Sequence, residues 1–226
     1  MKPPTRKPAH RLAIAAAALA LFASIGLAAA AELTDDGLEP IHVRDIDKAY
    51  KRPGASLAGY DRVLLKPATV EFSKSWDPRD YGGPGGLKPQ EVDKLRNDLA
   101  KLADDTFRRV LEKGGYGVVA KPDAGVLEVE PHIVDLYINA PDVVTADIRH
   151  NYVLSMGEMR LNATLRDAVT GTVLYRTSDR KRDPETGRLE WANNVWNQAE
   201  AARMLAGWAT QLKRALDAAK ERQPAP

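Results

Sequence analysis

The stretch EMRLNATLRDAVTGTVLYRT, residues 158–177, decides the fold. Met159, Leu161, Ala163 and Leu165 alternate with Arg160, Asn162, Thr164 and Arg166, the period-2 signature of a strand with one buried and one wet face. Asp167, Thr170 and Gly171 then supply turn chemistry, with Gly171 free to take a positive φ, and TVLYRT resumes the β pattern. A β-hairpin with one polar face follows.

Upstream, VLEVEPHIVDLYI, residues 126–138, reads as a long strand whose inward parity switches near Pro131, where a bulge would reconcile its halves. YGVVA, residues 116–120, reads as a short strand. RVLLKPATVEF, residues 62–72, reads as a strand bent at Pro67.

Between these lies an amphipathic helix over residues 90–113. Val92, Leu95, Leu99, Leu102, Phe107, Val110 and Leu111 fall on one side, and Gly114 and Gly115 stop it. A second helix over about residues 194–220 presents Trp196, Ala199, Leu205, Trp208, Leu212 and Leu216 at helical spacing. The order β, α, β, β, β, β, α predicts an α+β fold: a mainly antiparallel sheet of four to five strands with both helices on one face.

Residues 1–31 read as an export signal. Lys2, Arg6, Lys7 and Arg11 form a cationic start, residues 12–27 carry no charge, and Ala28 to Ala31 suit a signal peptidase, with cleavage expected after Ala31. The apolar run ahead of the cleavage-site alanines is sixteen residues, short of the roughly 20 that span a bilayer. Residues 32–58 mix charge with Pro and Gly and read as an extended arm or linker. One domain is expected over 59–220, then a disordered tail at 221–226.

Loss of the leader changes the formal charge from +2 to −2, so the basic excess that phosphate-backbone binding needs is missing and nucleic acid is not an expected partner. The chain has no cysteine, which removes thiol catalysis, disulfides and a covalent lipid anchor, and leaves stability to a packed core. The periplasm is the expected compartment, with secretion the alternative.

No stretch spells a catalytic site. Ser155, with His150 or His132, is not in a nucleophile elbow, and histidines are few. Glu128, Glu130 and His132 share a strand face, but neighbours on that face sit roughly 6.5 to 7 Å apart, too far for three to share one ion. No metal or cofactor is expected. The loop SKSWDPRDYGGPGGLKP, residues 73–89, lacks a Walker lysine; its Trp76 and Tyr81 are either anchors for a partner or residues folded onto the sheet. Trp191, Trp196 and Trp208 read as core aromatics or a groove lining, and Arg176, Arg180, Lys181, Arg182 and Arg188, interrupted by acids, as a solvated edge.

Three segments, LAGYDRVLLKPATVEF (57–72), residues 87–136 and MRLNATLRDAVTGTVLYRTSDRK (159–181), together resemble a bacterial envelope family of domains of unknown function, number 3313. Its members typically look like lipoproteins, whereas this chain has no cysteine to lipidate. The resemblance implies an envelope protein and supplies no reaction or ligand. The expectation is a non-enzymatic periplasmic binding or assembly-accessory protein, docking an envelope protein or cell-wall component. The alternatives are a small-ligand carrier using the space between sheet and helices, or a hydrolase. The sequence leaves the partner and the oligomeric state open.

Overall fold

The computed structural model describes Thr34 and residues 36–81, 85–139, 155–182 and 194–222; the leader, the Ala31 cleavage position, His150 and Trp191 lie outside them. The hairpin forms as its alternation demands. Strand β7 (Ser155–Asp167) pairs antiparallel with β8 (Val173–Arg182), Leu161 opposite Asp179 and Leu165 opposite Tyr175. Met159, Leu161, Ala163 and Leu165 are buried. Asp167 ties the turn by accepting the Val169 and Thr170 N–H groups at 3.1 and 2.7 Å, and Gly171 has φ +69°.

The remaining elements are β1 (Glu39–Ile41), β2 (Lys48–Lys51), β3 (Arg62–Leu65), β4 (Thr69–Phe72), α1 (Pro89–Lys113), β5 (Gly117–Val119), β6 (Val126–Asn139) and α2 (Asn194–Glu221). They build a mixed eight-stranded sheet in the order β1-β2-β8-β7-β6-β3-β5, with β4 beside β6 beyond β3. The run from β1 to β6 is antiparallel; β3 and β4 lie parallel to β6, and β5 parallel to β3. The expected four to five antiparallel strands are thus eight, and part of the sheet is parallel, because β3 and β6 are separated by α1 and β5 rather than by a hairpin.

Three sequence expectations need correction. Residues 32–58 are not a linker: β1 and β2 extend the sheet beyond β8, Leu38 is fully buried, and Arg52 donates to the Val173 and Asp36 carbonyls at 2.6 and 3.0 Å. The single strand over 62–72 is two strands. The parity switch in β6 is not at Pro131, which pairs in register with Ala163, but at Asp135, whose φ of +53° marks the bulge.

The break and Pro131 explain each other. β3 covers residues 126–129 of β6 and β4 resumes at His132, so Pro131, which has no N–H to give, faces the gap. Pro67 lies in that gap, and the freed Ala68 N–H donates to Asp104 of α1 at 2.8 Å. Burial pushes the Asp104 carboxyl up, a cost the gap's backbone donor offsets.

Both helices cover one face. Leu99, Ala103 and Phe107 of α1 and Met204, Leu205 and Trp208 of α2 pack on Val70, Ile133, Leu136, Met159 and Leu161; Leu111 and Leu216 close a second cluster over Val63, Leu127, Val129 and Leu165. Each of the larger aliphatic and aromatic side chains contributes about 1.5–3 kcal/mol by leaving water. In α2, Ala199, expected inward, is exposed, and Ala201 turns in instead. Gly115 at φ +85° ends α1, with the Tyr116 N–H reaching back to the Leu111 carbonyl at 3.0 Å. Among the described residues no helix is long and apolar enough to cross a membrane.

Candidate functional site

Trp76 and Tyr81 are positioned by the loop after β4. Trp76 is buried, 7% exposed, and stacks between Phe72 (centroids 4.1 Å apart) and Tyr81 (5.5 Å). Its indole N–H donates to the Ile138 carbonyl at 3.2 Å, on the edge of β6 past the end of β4. The indole therefore closes a sheet edge that would otherwise present an unpaired carbonyl. This is the second of the two sequence readings of that tryptophan, not an exposed anchor. Tyr81 is half-buried; burial, then a hydrogen bond with Tyr137, pushes its hydroxyl up to about 12.

Glu128, Glu130 and His132 do share one face of β6, as their spacing requires, but the two glutamates turn to Arg166 and the histidine turns to β4. Arg166 lies 3.9 Å from Glu128 and 3.2 Å from Glu130, while His132 contacts Thr69 and stands 3.5 Å from Glu71. Ser155 opens β7 opposite Asn139. The basic cluster divides across the sheet: Arg176, Arg180 and Arg182 project from the face away from the helices. Lys181 projects toward them, its ammonium 5.5 Å from the Trp208 ring. Trp208 is buried under it, as expected of a core aromatic.

Together these residues define a surface that sequence reading saw only in pieces: the sheet face opposite the helices. β8 contributes Arg176, Ser178, Arg180 and Arg182; β7 contributes Glu158, Arg160, Asn162, Thr164 and Arg166; β6 contributes Glu128, Glu130, His132, Val134 and Tyr137. Ion pairs run across the strands. Glu158 accepts Arg182 at 2.7 Å and Arg180 at 3.2 Å, and the Arg182 hydrogen bond leads the causes that hold its carboxyl below the usual range. Arg160 bridges Asp135 at 3.3 Å and Asp47 at 3.8 Å, and Arg176 meets Asp36 at 2.8 Å. The signal for this face was present in the polar half of the β7 alternation; its partners on β6 and in the arm required the register.

Such a face offers fixed, half-exposed charges of both signs, suited to steering and registering a polar surface rather than to enclosing a small apolar ligand. On the other face, Asp179 is buried and accepts the Trp208 indole N–H at 2.7 Å and the Asp47 N–H at 3.1 Å, linking α2, β8 and the arm.

Solved structures that match the chain include the PelC dodecamer from Paraburkholderia phytofirmans, at 12% identity and TM-score 0.38, covering 73% of this chain and 96% of that one. A minor lipoprotein from Acinetobacter baumannii matches at 13% identity and TM-score 0.32, over 70% of this chain and 92% of its own. A DUF330 protein from Xanthomonas campestris matches at 14% and 0.38, over 74% and 93%. No curated protein matches. A family model matches residues 32–212, from the arm that carries β1 and β2 through most of α2, and the chain belongs to that family, the proteins of unknown function DUF3313.

Proposed function

We propose that this is a non-enzymatic, exported envelope protein that works by protein–protein contact, using the charged sheet face as its docking surface. The observation that carries the reading is the division of the sheet: one face is filled by α1 and α2, while the other carries cross-strand arginines and carboxylates over β8, β7 and β6. Exposed ion pairs of this kind add only about 0–1 kcal/mol each to folding. So many on one face are better accounted for by recognition than by stability. The cationic start and uncharged run of residues 1–31 support export, and the lack of cysteine supports a form without a lipid anchor. Apart from Glu71, which stands beside His132, the carboxylates named on the face are engaged by guanidinium groups, which supports a non-catalytic role.

Crosslinking in intact cells tests this. The full chain is expected to give a reproducible crosslinked protein species, and Arg176→Glu/Arg180→Glu, which reverses the face while leaving the core untouched, is expected to lose it. Absence of any species, or one unaffected by the reversal, overturns the reading.

A further inference from the structure

The charges on the docking face are not evenly mixed. On β2 and β8, and the arm beside them, Lys48, Arg176, Arg180 and Arg182 stand against two carboxylates, Asp36 and Asp47. On β6 and β4, Glu71, Glu128, Glu130 and Asp135 stand with no lysine or arginine of those two strands, only His132. β7 lies between, with Arg160 and Arg166 against Glu158. The face therefore runs from cationic at the β2–β8 side to anionic at the β6–β4 side, across the strands and not along them.

From this gradient, and resting on the docking reading above, we propose that the occupant of the face is a second copy of this chain. Two such faces can meet about a twofold axis in only two simple ways. An axis across the strands sets β8 over β8 and carboxylates over carboxylates, like against like. An axis parallel to the strands sets the β2–β8 cations of each copy over the β6–β4 carboxylates of the other, so every attraction occurs twice in an isologous pair. The gradient selects the second arrangement. Sheets that stack face to face keep their strands within about 30° of one another, which suits this axis.

The size of the face fits. Five strands at about 4.8 Å and a paired length of nine residues at about 3.4 Å give roughly 24 by 30 Å, close to the ~800 Å² per partner of a standard interface. Few large apolar side chains lie exposed anywhere on the described residues, Val43 and Val169 alone. The contact is therefore polar and salt-sensitive rather than an obligate apolar one.

Sedimentation of the purified chain, as the cell processes it, is expected to give twice the monomer mass at about 0.02 M salt and a shift toward monomer at about 0.5 M. Arg176→Glu/Arg180→Glu/Arg182→Glu makes the whole face acidic, and Glu71→Lys/Glu128→Lys/Glu130→Lys makes it basic. Each variant alone is expected to sediment as a monomer, with its far-UV circular dichroism unchanged. Mixing the two is expected to restore the doubled mass as a heterodimer, a rescue that no folding defect can imitate. A wild type that is monomeric at every concentration overturns the proposal, as does a dimer that survives both reversals. If the dimer is absent but the cellular crosslink still depends on the face, the second copy is wrong and the docking reading stands. If the crosslink is also indifferent to the face, both fall.

Discussion

The Trp208 indole N–H donates to the Asp179 carboxylate at 2.7 Å, in a site where both side chains are buried. The bond fixes α2 on the sheet at β8, and the other Asp179 oxygen takes the Asp47 N–H, which brings in the turn before β2. Lys181 lies over the same indole, its Nζ 3.9 Å from Asp179, so the carboxylate has two hydrogen-bond donors and a nearby cation.

Trp208→Phe keeps most of the apolar volume and removes the donor, leaving a buried carboxylate oxygen short of a partner. The expected loss is about 1–3 kcal/mol in urea unfolding, and Asp179→Asn, which keeps an acceptor, should cost less. A double-mutant cycle between the two positions should show coupling well above zero. Additive effects would mean the indole holds α2 by packing alone.

What the sequence made legible was whatever repeats with a clear period. β7 alternates strictly because one face is core and the other is wet. α1 was readable because a 25-residue helix repeats its apolar stripe several times. The arm was not readable: β1 and β2 are three and four residues long, and their one fully interior position is the small Ala49. Pro40 on the outermost strand also reads locally as a breaker, though an edge strand tolerates it. Pro131 misled for a related reason. A proline in a long strand suggests a bulge, whereas here it faces a gap created by a second proline 64 positions earlier, a fact only the pairing reveals. The docking face was hidden because its charge gradient depends on strand order, and strand order is not local.

The aromatic column at Trp76 depends on one backbone position. Gly86 has φ +73°, and a Cβ there would fall 2.5 Å from the Arg79 Cα and 2.9 Å from the Pro78 carbonyl oxygen, both rigid backbone atoms. The close approach brings the Leu87 N–H to that same carbonyl at 2.8 Å, holding the short turn that precedes Tyr81 against the start of α1. Gly86→Ala should push the two strands of the loop apart at a cost of about 1–3 kcal/mol. Because Tyr81 stacks on Trp76, the near-ultraviolet circular dichroism should change as well. An unchanged spectrum and midpoint would show that the loop can relax without disturbing the stack.

Tyr60 donates its hydroxyl to Asp167 at 2.9 Å, so the segment leading into β3 is tied to the turn between β7 and β8. Burial first, and the Asp167 hydrogen bond next, push the Tyr60 phenol from its ordinary value near 10 up to about 12. The folded state thus favours the neutral phenol. Its contribution is fully present below pH 10 and is lost as pH rises toward 12. Tyr60→Phe cannot ionise there, so it should unfold with a shallower alkaline limb between those values while being less stable at neutral pH. The acid limb should change little, because the Thr170 N–H is the largest cause of the lowered Asp167 carboxyl and survives the substitution. A variant whose alkaline limb stays as steep as that of the wild type would place the titration in other tyrosines, Tyr81, Tyr116 or Tyr175, whose hydroxyls are also raised by burial.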